Sequence, residues 1–192
     1  MKKVGVLSLQ GDFAAHGAAL ERAGAEPVYV REAADLSPLD ALVIPGGEST
    51  TMLKLMRFDG LFDAIAEFGA RKPIFGTCAG AILVADEVSR PAQECLHLMD
   101  ISVERNAYGR QIDSSVSQIE PEPEFLARTA PGKMEAVFIR APIIRRAGPG
   151  VRILARYHGD PVLVEQGRHL VATFHPELTH DARVHRLFLS KI

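Results

Sequence analysis

The sequence predicts an α/β fold: a mostly parallel sheet with helices on both faces, and an antiparallel portion in its second half. Three observations predict it. Short apolar runs at Val4 to Leu9, Pro27 to Val30, Ala41 to Ile44 and Pro73 to Phe75 alternate with segments of helical periodicity. The first and third of these runs are apolar almost throughout, as strands covered on both faces are. Later, Ile101 to Val103, Met134 to Ile139, Arg152 to Arg156, Val162 to Val164 and Leu170 to Phe174 follow one another as strand-like runs with turns and little helix between them.

Taken in order, Asp12 is placed to cap a helix whose stripe is Phe13, Leu20 and Ala23 and whose end is Gly24. The Ala41 to Ile44 run is halted by Pro45-Gly46-Gly47. A helix-start signal in Ser49-Thr50-Thr51 follows, and Leu61, Phe62, Ile65 and Phe68 then recur at helical spacing. The run from Pro73 enters Gly76-Thr77-Cys78-Ala79-Gly80 and a helix-like Ala81 to Glu87, and a last helix is expected from Asp181 to Leu189. No repeat or charge block divides the 192 residues, so one domain over residues 1–192 is expected.

Composition narrows the function classes. Lys+Arg 22 against Asp+Glu 24 gives a formal charge of −2, leaving no excess of cations to displace counterions from a phosphate backbone, so nucleic acid is not an expected partner. The two cysteines, Cys78 and Cys95, are too few for a disulfide framework and suit a reducing, cytoplasmic setting. The opening apolar stretch is too short for a secretory core or a membrane span, so no membrane association is expected.

Three segments could carry chemistry. Gly76-Thr77-Cys78-Ala79-Gly80 is a G-x-C-x-G between a strand and a helix, the pattern that forces a nucleophile into a sharp corner. A thiol there meets a helix N-terminus, which favours thiolate, and the same N–H groups can stabilise an oxyanion. The alternative is a buried structural cysteine in a Gly-rich turn. His175-Pro176-Glu177 follows the last strand-like run. In extended chain, residues two apart point the same way, so Glu177 could orient the His175 imidazole, although the same tripeptide also suits a solvated turn. Pro45-Gly46-Gly47-Glu48-Ser49-Thr50 puts backbone N–H groups toward the crevice where open α/β sheets bind ligands. It lacks the Lys of a P-loop, so an oxyanion- or amide-binding loop fits better, with a plain turn as the alternative.

The remaining candidates say less. Cys95 has no His or acid at nucleophile-like spacing and is read as structural. His16, His97, His158 and His169 have no distinguishing context, and His175, His180 and His185 share no helical face, so no metal site is expected. Arg105 and Arg140 could pair with a substrate carboxylate. From these patterns the reading is a Cys-His-Glu hydrolase or transferase on an α/β sheet.

The Cys corner together with His175-Pro176-Glu177 resembles the class I, triad-type glutamine amidotransferases. Four further stretches narrow the resemblance to the glutaminase subunits of pyridoxal 5′-phosphate synthase. These are Gly5-Val6-Leu7-Ser8-Leu9-Gln10-Gly11-Asp12, Pro45-Gly46-Gly47-Glu48-Ser49-Thr50, Arg105-Asn106-Ala107-Tyr108-Gly109-Arg110-Gln111 and Phe138-Ile139-Arg140-Ala141-Pro142. The resemblance implies a three-layer α/β/α, flavodoxin-like mixed sheet. It also implies hydrolysis of L-glutamine through a Cys78 thioester, with His175 and Glu177 completing the triad and no cofactor. By the same resemblance Gly47, Glu48, Ser49, Arg105, Ile139 and Arg140 contact glutamine. Gly47 and the Ala79 amide are the implied oxyanion donors, with Gln10 and Gly11 beside them. The implied partner is a (β/α)8 synthase subunit in a complex of twelve plus twelve, which receives the ammonia. Where the family usually has Phe-Glu after Ser114, this chain has Ser115-Val116, and Tyr108 replaces a usual Phe. Those changes imply retuned docking with the triad untouched. A glutaminase of another ammonia-channelling pair, such as imidazole glycerol phosphate synthase, and a non-catalytic interaction module are the competing readings.

Overall fold

A computed structural model describes residues 1–106 and 114–192. In chain order the elements are β1 (Lys3–Leu7), α1 (Phe13–Ala23), β2 (Glu26–Val30), β3 (Ala41–Ile44), α2 (Ser49–Phe58), α3 (Leu61–Arg71), β4 (Ile74–Thr77), α4 (Ala79–Val84), β5 (Ala85–Ser89) and β6 (Met99–Glu104). They continue with β7 (Ser114–Ile119), α5 (Pro123–Arg128), β8 (Met134–Ile139), β9 (Ile143–Ala147), β10 (Arg152–Tyr157), β11 (Asp160–Gln166), β12 (His169–Ala172) and α6 (Arg183–Leu189).

The main sheet runs β10-β11-β12-β4-β3-β1-β2. Strands β12, β4, β3, β1 and β2 pair in parallel, and β10 and β11 extend the sheet antiparallel beyond β12. This is the doubly wound arrangement expected from the alternating first half. Two smaller sheets, β5-β6-β9 and β7-β8, flank it.

Alternation along the strands divides the interior between two layers. From β3 and β4, Leu42, Ile44 and Ile74 enter one core with Met52 and Met56 of α2 and Ile65 of α3. Ala41, Val43 and Phe75 enter the other with Leu20 of α1 and Leu187 and Phe188 of α6. Phe75 is fully buried, its ring 5.4 Å from that of Phe188. Burying a side chain of this kind contributes roughly 1.5–3 kcal/mol.

Several elements differ from the sequence reading. The helix after Cys78 ends at Val84, and Ala85 to Ser89 pairs as β5 with β6, although Asp86 and Glu87 are poor strand formers. Pairing partners override propensity there. Asp12 makes no capping bond to α1 and lines a cavity instead, whereas Gly24 ends the helix in the left-handed conformation expected of it. Glu48, not the Ser49-Thr50-Thr51 hydroxyls, caps α2: its carboxylate accepts from the N–H groups of Thr50 and Thr51. Helix α6 starts at Arg183, where Asp181 accepts from the Arg183 N–H at 3.0 Å. Strands β7 and β9 and helix α5 carry no strong periodicity and were not expected. Among the described residues no helix is long and apolar enough to cross a membrane.

Candidate active site

Parallel pairing assembles the site. Strands β12 and β4 are neighbours with Ala172 opposite Thr77, so both chains leave the sheet at the same edge. Cys78 follows Thr77, and its N–H donates to the Ala172 carbonyl at 2.9 Å. Three residues beyond Ala172 stands His175, tied through its own N–H to the Val137 carbonyl at 2.8 Å. Strand β3 flanks β4 on the other side and delivers Gly46 and Gly47, while β1 delivers Gln10 and Gly11. Four strand ends thus converge on one crevice, outside the carboxyl ends of the strands.

The crevice is a cavity of about 370 Å³ lined by Cys78, His175 and the main loop residues around them. That volume falls within the roughly 300–1,000 Å³ of small-molecule sites. Of the residues singled out in the sequence, Gln10, Gly11, Gly47, Glu48, Ser49, Cys78, Ala79, Arg105, Ile139, Arg140 and His175 all reach its wall. Glu177 does not, because it lies behind His175. Ala107, Tyr108, Gly109, Arg110 and Gln111, with Ile112 and Asp113, lie outside the described residues. Gly46, Asp12, Ile82, Asn106 and Pro142 also line the cavity and had not been singled out as site residues.

At the corner, Cys78 has φ 48 and ψ −103, a conformation that L-residues rarely adopt. Close packing forces it. A Cβ on Gly80 would stand 2.0 Å from the Ile44 carbonyl oxygen, and one on Gly76 would stand 2.5 Å from the Gly80 oxygen. Strain of this kind costs about 1–3 kcal/mol. Cys78→Gly is therefore expected to be more stable than Cys78→Ala, by about 1 kcal/mol, reversing the usual penalty for glycine. Thermal or urea unfolding of the two variants side by side checks this, and a less stable glycine variant would mean that the corner is unstrained.

His175 and Glu177 are buried, and His175 Nδ1 lies 2.7 Å from Glu177 Oε1. They share a side because a 3-10 turn, Pro176–Leu178, follows His175, rather than the extended chain expected. Burial alone would depress the His175 imidazolium, but hydrogen bonds and charge interactions with Cys78 and Glu177 outweigh it and hold it up to about 10. The imidazole is thus poised to carry a proton between the sulfur and a reacting group, with the carboxylate fixing the Nδ1–H tautomer.

The loop contacts are equally specific. Glu48 N–H donates to Gln10 Oε1 at 2.8 Å, joining the ends of β1 and β3. The hydroxyl and backbone N–H of Thr51, with that of Thr50, hold the Glu48 carboxyl down to about 2 despite some desolvation. Arg105 donates to Thr50 Oγ1 at 2.8 Å. Ser49 Oγ donates to Gln93 Oε1 at 3.0 Å. The Ile139 carbonyl faces Cys78 Sγ at 3.9 Å, and Arg140, exposed at φ 44, follows it at the cavity wall.

Asp12, His175 and Glu177 offer three donor atoms within 4.8 Å of one another, but His175 and Glu177 already bond each other. Cys95 is buried, and contrary to the sequence reading it does have such neighbours: His97 Nδ1 at 3.8 Å, which in turn lies 3.1 Å from Asp86 Oδ1. Burial pushes the Cys95 thiol up, which opposes nucleophilic use. Sequence reasoning also missed His16 and His185, packed behind Glu177. The available signal was position: His16 lies three residues after Phe13 and four before Leu20, on the apolar stripe of α1.

Comparisons with known proteins identify the family. Residues 6–192 match the model of the SNO glutamine amidotransferase family. The chain is 71% identical to pyridoxal 5′-phosphate synthase subunit PdxT of Solibacter usitatus (strain Ellin6076), over all of both chains. It is 53% identical to the protein of that name from Koribacter versatilis (strain Ellin345), over 99% of this chain and 95% of the other. A crystal structure of a glutamine amidotransferase superposes with a TM-score of 0.88 at 48% identity, covering 98% of this chain and 97% of that one. The chain belongs to the SNO glutamine amidotransferase family.

Proposed function

We propose that this chain hydrolyses L-glutamine to L-glutamate and ammonia and passes the ammonia to a pyridoxal 5′-phosphate synthase subunit. The observation that carries the reading is the convergence of Cys78 and His175, the latter backed by Glu177, on one cavity at the ends of adjacent parallel strands. The Cys78 thiolate attacks the side-chain amide carbon, and the oxyanion so formed is held by the Gly47 and Ala79 N–H groups. Each such donor is worth about 3–4 kcal/mol of barrier. His175, as imidazolium, gives its proton to the departing nitrogen, so ammonia leaves and a γ-glutamyl thioester remains. Water then attacks with His175 as base, and collapse of that intermediate expels the thiolate and releases glutamate.

Glu177 orients His175 and supports its positive charge. Arg105 and Arg140 supply cations for the substrate carboxylate. Glu48, Ser49 and Ile139 shape the remaining wall, and Gln10 and Gly11 lie beside the oxyanion donors. The partner is a (β/α)8 synthase subunit in a twelve-plus-twelve complex, in a cytoplasmic, reducing setting that suits two buried thiols. Free ammonia would be lost to solvent and protonated, so coupling turnover to docking conserves substrate.

The test is a glutaminase assay with and without the synthase subunit, with the mass of the mixture measured in solution. Low activity alone, stimulation by the synthase and a species of twelve plus twelve chains are expected. Stimulation by the imidazole glycerol phosphate synthase partner alone would overturn the assignment of partner.

A further inference from the structure

Behind the His175–Glu177 pair lies a line of buried polar groups that the mechanism above does not use. Glu177 Oε1 takes the His175 bond, but Oε2, also buried, has no well-aligned hydrogen bond among the described residues. The group within reach is His16 Nε2, 3.3 Å from Oε2 and 2.9 Å from Thr77 Oγ1. His16 Nδ1 in turn lies 3.2 Å from His185 Nε2, and His185 Nδ1 has no partner among the described residues. Both imidazoles are fully buried and stack edge-on against Phe75.

Only one pair of tautomers satisfies this line. If His16 carried its proton on Nδ1, it would turn a bare Nε2 lone pair toward the Glu177 carboxylate. His185 Nε2 would then have to accept, leaving His185 an N–H on Nδ1 buried with no acceptor, the costliest kind of orphan. With protons on both Nε2 atoms, His185 donates to His16, His16 donates toward Thr77 and Glu177, and the one unpartnered site is a lone pair. Burial, reinforced by His185 and His175, depresses His16 well below its usual range. Burial and nearby Arg22 bring His185 down to about 4. Both are therefore neutral near pH 7.

We infer that His16 is a positioning residue for the Cys78–His175–Glu177 site, its Nε2–H shared between the second oxygen of Glu177 and the hydroxyl of Thr77, with His185 donating to its Nδ1. Thr77 ends β4 immediately before the nucleophile, and Glu177 sits on the turn after β12. One imidazole on α1 thus ties the strand bearing the sulfur to the carboxylate that aligns the base. This rests on the catalytic reading of those three residues, but its first test does not require turnover.

Nitrogen chemical shifts of 15N-histidine-labelled full-length chain at pH 7 report each tautomer directly. His16 and His185 are both expected as neutral Nε2–H forms, and an Nδ1–H or doubly protonated His16 overturns the inference. In turnover with the synthase subunit, His16→Leu is expected to lower kcat about 10–100-fold, the usual cost of losing an outer support residue, with KM changed less than about twofold. Alkylation of Cys78 counts the folded sites. His16→Gln, whose amide N–H reaches toward the same two oxygens, is expected to recover to within about fivefold of the parent. His185→Phe removes the group facing His16 Nδ1 but leaves Glu177 and Thr77 facing Nε2, so His16 is expected to stay in the Nε2–H form, and a shift to Nδ1–H would overturn the inference. A fully active Leu variant, or a folded Gln variant no better than Leu, defeats the proposal. Parent protein with the expected tautomers and no turnover would instead defeat the glutaminase reading.

Discussion

Cys78→Ala is expected to abolish ammonia release from glutamine, with or without a synthase subunit, while leaving the fold intact. The side chain is small and sits at the cavity, and alanine removes only the sulfur. Removing the nucleophile from such a constellation lowers turnover by about 10⁴–10⁶-fold, and the residual rate comes from the oxyanion donors and binding. A coupled glutamate assay on protein shown to be folded by its circular dichroism measures this. Turnover within tenfold of the parent would place the chemistry elsewhere. The same variant tests the electrostatics of the site. His175 is held up to about 10 partly by Cys78, so its imidazole should titrate lower once the sulfur is gone. The sign follows from linkage: a histidine raised from 6.5 to about 10 on folding contributes stability fully present below pH 6.5 and lost as the pH rises through 10. Parent and variant should therefore differ by the full amount at and below neutral pH and converge under alkaline conditions, on top of any pH-independent difference. Denaturant titrations at a series of pH values follow that convergence.

How far the sequence exposes this site depends on whether each residue's role is local. The Cys78 corner was legible because strand, glycines and helix start are neighbours in the chain, and the clash that a Gly80 side chain would make is built into that spacing. His175-Pro176-Glu177 was legible as a pair for the same reason, although the turn that aligns it is a 3-10 turn and not extended chain. The main parallel strands were legible because buried on both faces they read as apolar runs. Strand β5 was not: Ala85-Asp86-Glu87-Val88-Ser89 becomes a strand only because β6 lies beside it, a fact of tertiary structure. The pairing of His16 with His185 was invisible for a related reason. The two are 169 positions apart, and nothing local in either sequence window shows that α1 and α6 bring their rings to 3.2 Å. Cys95 shows the converse: His97 stands two residues on and the fold adds Asp86 beside it, yet its assignment as structural agrees with the direction in which burial moves its thiol.

Gly80→Ala is expected to damage both stability and activity, and more severely than a methyl group elsewhere in α4 would. The added Cβ would fall 2.0 Å from the Ile44 carbonyl oxygen and 2.9 Å from its carbon, both backbone atoms of a central strand. Neither can rotate away, so α4 must lift from β3. Overpacking of a rigid site costs typically 1–3 kcal/mol and occasionally more, and contact with main chain places this variant at the upper end, at about 3 kcal/mol or above. The displaced element carries Cys78 at its first turn, and β3 leads directly into Gly46 and Gly47. A shift of about 1 Å in catalytic geometry is enough for roughly a hundredfold loss of rate. Urea unfolding combined with glutaminase turnover per alkylatable site separates the two effects. A variant as stable and as active as the parent would show that helix and strand can part without strain. The strained backbone of Cys78 would then need a cause other than the close approach of α4 to β3.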